Sequence, residues 1–345
     1  MSKPKHILVI RLSAMGDVAM TVPVLRALVL QHPNVKITMV SRPFFQPFFA
    51  EIPNVNFFGV DLKERHKGFI GLFRLFSDLC KLDIDLVADL HNVLRSKVVR
   101  TLFALSGKKV AATDKGRAEK KELTSLTKKI FAPVKPMVER HVDTFKQLGF
   151  SIDLTNPQFP EKAILSEGIF SITGTKNQNW IGIAPFAQYE SKVYPTDLMQ
   201  QVIDYLAKNK NVKIFLFGGG ATEIQKLNQL QNNHENVMVV AGKLSFETEL
   251  QLISNLDVML SMDSGNSHIA AMLGVKVITL WGATHPYAGF KPFNQPDDFC
   301  LTADRAQYPL LPTSIYGNKK VKGYDEVMRT ILPSQVIEKI NSNLT

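Results

Sequence analysis

The chain has 345 residues, 45% of them hydrophobic and 21% charged, with a formal net charge of +10. This is the composition of a soluble globular protein, long enough for two domains, and no apolar run approaches the ~18 residues of a membrane span. The only cysteines, Cys80 and Cys300, are far apart, which excludes a disulfide framework or a zinc site and fits a reducing cytoplasm.

The start, M-S-K-P-K-H-I-L-V-I-R, is basic and then apolar. Arg11 cuts the apolar run short and no small-residue cleavage site follows, so it reads as a first strand and not as a signal peptide. Residues 7–12 are short, β-branched and almost wholly apolar, the pattern of a buried parallel strand. A tight turn, S-A-M-G-D, follows at residues 13–17. Residues 18–30 have helical spacing, with Pro23 in the first turns where proline is tolerated. The single glycine of the turn is not a dinucleotide fingerprint, so a nicotinamide or flavin cofactor is poorly supported. The turn instead places a carboxylate, Asp17, at a strand's carboxyl end, either as a helix cap or as a reacting group.

Further strands are expected at residues 36–40, 55–60, 86–90 and 109–112, with helices between them. Asp83-Ile84-Asp85 is an Asp-x-Asp, but it precedes its apolar run instead of ending it, and reads as a polar loop and not as a metal-nucleotide motif. D-L-H-N at residues 89–92 ends a strand on the side where Asp17 sits, and Arg95 lies one helical turn beyond His91. Residues 95–140 carry 13 Lys/Arg against 4 Asp/Glu, nearly the whole charge surplus. Within them T-D-K-G-R-A-E-K-K-E-L-T-S-L-T-K-K has little apolar periodicity and reads as a mobile surface loop. A solvated loop, an acidic acceptor and an anionic membrane surface all fit this charge. Nucleic acid does not, because aromatic residues are not interleaved and no helix-turn-helix or RNP pattern occurs.

Residues 151–176 hold prolines and polar residues without periodicity and read as a linker. Strand signals then restart near Trp180, Val212, Val237, Asp257 and Val275. Two successive α/β sheets argue for two Rossmann-like domains, residues 1–160 and 177–330, facing across a central cleft, with a last helix in 331–345 crossing back to the first. Motifs gather at the second domain's strand ends: Lys192 in S-K-V-Y-P, Glu223 in F-G-G-G-A-T-E, and A-G-K-L-S at residues 241–245. The densest group is M-D-S-G-N-S-H-I-A-A-M-L-G. There Asp263-Ser264-Gly265 ends a strand and opens a small-residue helix, whose N–H groups and dipole suit a diphosphate. Asp263 and His268 flank the spot and could hold sugar hydroxyls. Taken singly, each also reads as a surface charge, a cap or a packed core histidine.

In their order and spacing these motifs resemble glycosyltransferase family 9, the ADP-heptose:lipopolysaccharide heptosyltransferases, over nearly the whole chain. The resemblance rests on R-L-S-A-M-G-D-V-A-M-T-V-P-V-L, D-L-H-N-V-L-R-S, S-K-V-Y-P, F-G-G-G-A-T-E, A-G-K-L-S and, most of all, D-S-G-N-S-H-I-A-A-M-L-G-V-K-V-I-T-L-W-G-A-T-H-P. It implies a GT-B fold and an inverting, metal-independent transfer of heptose from a nucleotide-sugar donor such as ADP-heptose, without a resident cofactor. The implied acceptor is a lipopolysaccharide core or a related acidic glycolipid, met by a cytoplasmic monomer at the inner-membrane surface. Asp17 is then the catalytic base and Lys192 the diphosphate contact. Asp263, Ser264, Gly265 and His268 contact phosphate and sugar, Glu223 the ribose and Leu244 the adenine, while Ser13 and Gly16 of the first turn join the donor set. His91, Asn92 and Arg95 are expected at the acceptor. Two departures bear on the donor's sugar and not on the reaction class. Pro185-Phe186 replaces the small or hydroxylated pair of many members, and the cysteines many carry near the C-terminus are missing. The other readings are transfer of a different nucleotide-linked sugar, a sugar-nucleotide epimerase of the same fold, and a non-catalytic nucleotide-sugar or glycan binder. A pure binder needs no base.

Overall fold

The computed structural model describes residues 5–344; the first four residues of the basic start and residue 345 lie outside them. The chain forms two compact units, one of the residues up to Arg117 with Lys135–Phe159, the other of Ala118–Val134 with the residues from Pro160 onward.

The first unit runs β1 (Lys5–Ile10), α1 (Met15–Ala19), α2 (Val22–Gln31), β2 (Val35–Ser41), β3 (Val55–Gly59) and α3 (Gly68–Cys80). It continues with β4 (Leu86–Asp89), α4 (Leu94–Leu105) and β5 (Lys109–Ala112); after α5 (Arg117–Leu123) it resumes with α6 (Met137–Leu148). Its strands are all parallel, in the order β3-β2-β1-β4-β5. The centre strand β1 is buried from His6 to Ile10 without alternation, because a parallel sheet is covered on both faces. Leu8, Ile10, Val40 and Val87 of the sheet pack with Leu72, Leu75 and Leu79 of α3 and Val99 and Phe103 of α4. The winding goes outward from β1 to β3 and then resumes at β4, so it reverses between β1 and β4. The helix expected over residues 18–30 is split into α1 and α2. Pro23 has no N–H for the carbonyl of Ala19, and the Thr21 hydroxyl donates to Val18 O (2.7 Å) where α1 ends.

The second unit adds α7 (Glu167–Thr173), β6 (Asn179–Ala184), α8 (Thr196–Ala207), β7 (Val212–Leu216), α9 (Gly220–Gln231) and β8 (Val237–Val239). Then follow α10 (Phe246–Ser254), β9 (Val258–Met262), α11 (Gly265–Met272), β10 (Lys276–Trp281), β11 (Cys300–Thr302) and α12 (Pro333–Asn341). All six strands are parallel, in the order β11-β10-β9-β6-β7-β8, and the winding reverses between β6 and β9.

Three expectations from the sequence change here. The basic stretch is not a mobile loop. It contains α5, whose Leu123 is fully buried beside Val134 and Ala288, and its residues 118–134 pack in the second unit, whereas the sequence pattern places them in the first domain. Lys120 lays its ammonium 4.1 Å from the Phe290 ring centroid, and Lys129 donates to Leu123 O and Pro312 O (2.7 and 2.8 Å). Lysine stems cover apolar surface here, which a count of apolar residues misses. The linker, too, contains a helix, α7, anchored by buried Ile169. Finally, the last helix, expected to return to the first domain, packs on α8 with Val336 and Ile340 in the second unit's core.

Candidate active site

In an open parallel sheet the carboxyl ends of the two strands flanking a reversal splay apart, and side chains there face a ready-made crevice. In the first unit those strands are β1 and β4, and both are followed by sequence-nominated residues. Asp17 stands in α1, with one carboxylate oxygen 2.7 Å from an Arg11 guanidinium nitrogen and the other accepting from Ala14 N (3.2 Å). It is therefore both a helix-end acceptor and an ion-paired acid, and its side chain stays 28% exposed. Arg11 is buried and also donates to Leu90 O (2.7 Å) and Ser13 O (2.9 Å), tying the end of β1 to the end of β4. Its grip on Asp17 has one signal in the sequence, a charge that closes a buried apolar strand.

At the end of β4 the fully buried Asp89 accepts from His91 N and Asn92 N (3.0 and 2.7 Å) and pairs with Arg100 (3.2 Å). Asn92 adopts φ +45° and donates its side-chain amide to Thr113 O (2.9 Å). His91 Nδ1 accepts from Leu12 N (3.4 Å). Burial, with Arg11 and Lys115 adding to it, pushes its imidazole down to about 3. His91 is neutral at physiological pH, with the proton on Nε2, and so can donate to a hydroxyl. Arg95 is exposed in the first turn of α4. Half-buried Lys115 follows β5; burial lowers its pKa, Arg11 and Arg117 lower it further, and Asp17 and Asp89 oppose them. It belongs with the charges around Asp17, whereas the sequence reading left it among the basic-stretch charges. Ser13 and Gly16 sit in the same turn as Asp17, in the first unit and not with the other donor residues.

The second unit repeats the arrangement at β6 and β9. Lys192 closes a 3-10 turn after β6, and its ammonium lies 3.1 Å from Asp263 after β9, with both side chains nearly buried. A Cβ on Gly317 (φ +85°) would come within 2.7 Å of Lys192 Cγ, so a glycine is required where that loop crosses the lysine stem. The Ser191 hydroxyl donates to Gly317 O (2.7 Å) from the other side. Ser264 precedes α11 with extended backbone, its hydroxyl 3.1 Å from that of Ser261, and Gly265 opens the helix. His268 is buried one turn further on. The strand order puts the ends of β9, β6, β7 and β8 side by side, so Asp263, Lys192, Glu223 and Leu244 lie in that order along one sheet edge. Glu223 already accepts from Gly219 N (2.8 Å) as a helix-end acceptor. Leu244 is half-buried just before Ser245, whose hydroxyl caps α10 through Thr248 N (3.2 Å). Phe186, one of the departures, packs against the core beside Gly218.

Asp83 and Asp85 lie at the amino end of β4, away from the edge that carries Asp17, and Asp85 accepts from His6 N (2.8 Å). No group of three or more potential metal-ligating His, Cys, Asp or Glu residues occurs among the described residues.

The family model described as glycosyltransferase family 9 (heptosyltransferase) matches residues 72–314. Lipopolysaccharide heptosyltransferase 1 of Campylobacter coli is 24% identical over 300 residues, covering 81% of this chain and 85% of that protein. Lipooligosaccharide heptosyltransferase 2 of Haemophilus influenzae is 24% identical over 355 residues, covering 98% and 99%. Among solved structures, a glycosyl transferase family 9 protein of Veillonella parvula superposes with a TM-score of 0.76 at 21% identity, over 99% of this chain and 98% of that one. E. coli heptosyltransferase WaaC with ADP does so at 0.69 and 20%, over 98% and 99%. The chain belongs to glycosyltransferase family 9, the heptosyltransferases, and is a glycosyltransferase of the GT-B fold.

Proposed function

We propose that this glycosyltransferase moves a heptose from ADP-heptose, with inversion and without a metal ion, to a lipopolysaccharide core or related acidic glycolipid. The observation that carries this reading is the pair of reversal points: one offers a carboxylate held by a buried arginine, the other a lysine beside a helix N-terminus. The curated relatives are named for heptosyl transfer, and one solved neighbour of the same fold, E. coli WaaC, holds ADP-2-deoxy-2-fluoro heptose.

In this reading the Asp17 carboxylate takes the proton of the acceptor hydroxyl as its oxygen attacks the anomeric carbon. The bond to the diphosphate breaks on the opposite face, which inverts the configuration. Negative charge grows on the leaving diphosphate, and preorganised donors aimed at such charge supply on the order of 2.7–4 kcal/mol each. Lys192 and the first backbone N–H groups of α11 are those donors, with the positive end of the helix dipole behind them. Asp263 keeps the buried ammonium compensated until the donor arrives, and with His268 it addresses the sugar hydroxyls. Glu223 and Leu244 take the ribose and adenine, and Ser13 and Gly16 border the sugar from the Asp17 turn. His91, Asn92 and Arg95 hold the acceptor. No described helix is long and apolar enough to cross a membrane. We place the protein in the cytoplasm as a monomer that meets its lipid-linked acceptor at the inner face of the membrane.

A panel of nucleotide sugars, read by release of nucleoside diphosphate and by the anomeric configuration of the product, tests the reading. ADP-heptose should be turned over fastest, giving the inverted product, and activity should survive EDTA. Preference for another donor would replace the assigned sugar. Loss of activity with chelator and its recovery with Mg²⁺ would replace the metal-free mechanism.

A further inference from the structure

Helix α3 presents bulky apolar side chains to solvent on a well-anchored helix. Its inner face is seated in the first unit's core through Leu72, Leu75 and Leu79. Its first turn is fixed at Gly71, where a Cβ would overlap the backbone of His66 (2.2 Å). The approach loop is pinned by Arg65 on Asp78 (two contacts of 2.8 Å) and by buried His66 on the same carboxylate (3.3 Å). On the outer face, however, Phe69 is 65%, Ile70 70% and Phe73 45% exposed, with the two phenylalanine rings edge to face at 5.2 Å. Residues 63–81 carry five Lys/Arg (Lys63, Arg65, Lys67, Arg74 and Lys81) against Glu64 and Asp78, and Asp78 is already engaged by Arg65 and Lys81.

We propose that the N-terminal half of α3 is the surface by which the protein docks on an anionic lipid bilayer, inserting Phe69, Ile70 and Phe73 among the acyl chains while Lys63, Lys67 and Arg74 meet the headgroups. Apolar side chains ringed by cations are the composition of an interfacial helix. The charge argues against a second copy of the chain, since pairing two such faces would oppose like charges. So does size: three side chains offer a few hundred Å², well short of the ~800 Å² per partner of a specific dimer. The position also suits the task. α3 begins after the carboxyl end of β3, on the same edge of the first sheet as the turn bearing Asp17. The assignment rests on the proposed lipid-linked acceptor only for the reason a bilayer is met; lipid binding itself requires no turnover.

Co-sedimentation with vesicles of phosphatidylethanolamine and phosphatidylglycerol, against vesicles of phosphatidylcholine alone, tests it. The wild-type chain should bind the anionic vesicles, less well as salt rises, and bind phosphatidylcholine weakly. Phe69→Ser/Ile70→Ser/Phe73→Ser should lower the affinity at least about ten-fold, because the acyl-chain contact is lost. Lys67→Gln/Arg74→Gln, which alters only exposed charge, should lower it roughly five-fold per charge and flatten the salt dependence. Both variants should keep the wild-type melting temperature and turnover on a water-soluble acceptor fragment, which separates lost docking from lost catalysis. Failure of the wild-type chain to bind anionic vesicles overturns the proposal, as does undiminished binding by the triple serine variant. A wild-type dimer in light scattering that the triple variant converts to monomer would assign the face to a second copy.

Discussion

At both reversal points a carboxylate meets a cation, but the burial differs. In the first unit the cation is hidden and the acid exposed: the Arg11 side chain is 6% accessible and that of Asp17 28%. In the second unit both members are covered, Lys192 at 12% and Asp263 at 9%. An exposed carboxylate gripped from behind by a guanidinium has fixed orientation and an open approach, which suits taking a proton from a group arriving from solvent. A covered pair has given up hydration on both ions and is held by mutual attraction. In the proposed function such a pair is joined by the donor's diphosphate, whose charge replaces the lost water. The same supersecondary unit thus presents two different ion pairs, according to which partner the core covers.

The sharpest break of this comparison is at Asp17. Asp17→Asn should reduce turnover by about 10²–10⁴ with donor affinity unchanged, measured by steady-state kinetics beside calorimetric donor binding. Its melting temperature should fall little, because Arg11 keeps the carbonyls of Leu90 and Ser13 as acceptors. Lys192→Ala should behave differently on every count. Turnover should fall by about 10²–10³, donor affinity should fall with it, and the melting temperature should drop because Asp263 is left buried and unpaired, a loss of about 3–5 kcal/mol. Equal stability in the two variants would remove the contrast.

Arg11→Lys keeps a charge behind Asp17 but loses the fork that reaches three oxygens at once. Turnover should fall roughly ten-fold, since orientation and not charge is lost, with donor affinity unchanged. A wild-type rate in Arg11→Lys would make the contact a plain ion pair.

The first unit also carries a pH signature. His91 titrates near 6.5 when unfolded but near 3 in place, so between those values the unfolded chain binds a proton that the folded chain does not. Its contribution to stability is complete above about 6.5 and is lost progressively as pH falls toward 3, by a few kcal/mol in all. His91→Gln should flatten the decline of melting temperature over that window; an unchanged acid limb would show that other groups govern it.

The smallest effects divide the basic stretch. Lys115→Ala, beside Arg11 and Asp17, should raise the acceptor's KM several-fold, most visibly at low salt. Lys121→Ala, at an exposed position on α5, should leave it within about two-fold, as rim charges generally do. Lys120→Ala should instead lower the melting temperature, because that lysine covers Phe290.

Ten of the eleven strands were legible because a parallel strand covered on both faces is a short β-branched apolar run that needs no partner to be recognised. The Asp17 turn and the Asp263-Ser264-Gly265 helix start were legible for a related reason, since polar residues that abruptly end such a run sit at the sheet's carboxyl edge. The three-residue β11 and the seven-residue α5 and α7 are too short to carry a period, and their stability comes from what they pack against.

The sequence by itself determined the two parallel sheets and the strand ends that bear the candidate residues, because local pattern and spacing encode these; the reaction class followed from its resemblance to glycosyltransferase family 9. Only the tertiary structure decided that Arg11 grips Asp17, that Lys192 pairs with Asp263 across the β6–β9 reversal, and that residues 118–134 and α12 pack in the second unit. Those outcomes depend on which strands become neighbours and which charges lose their water. Strand order and burial are collective properties of the folded chain, and no residue's immediate neighbours in sequence specify them.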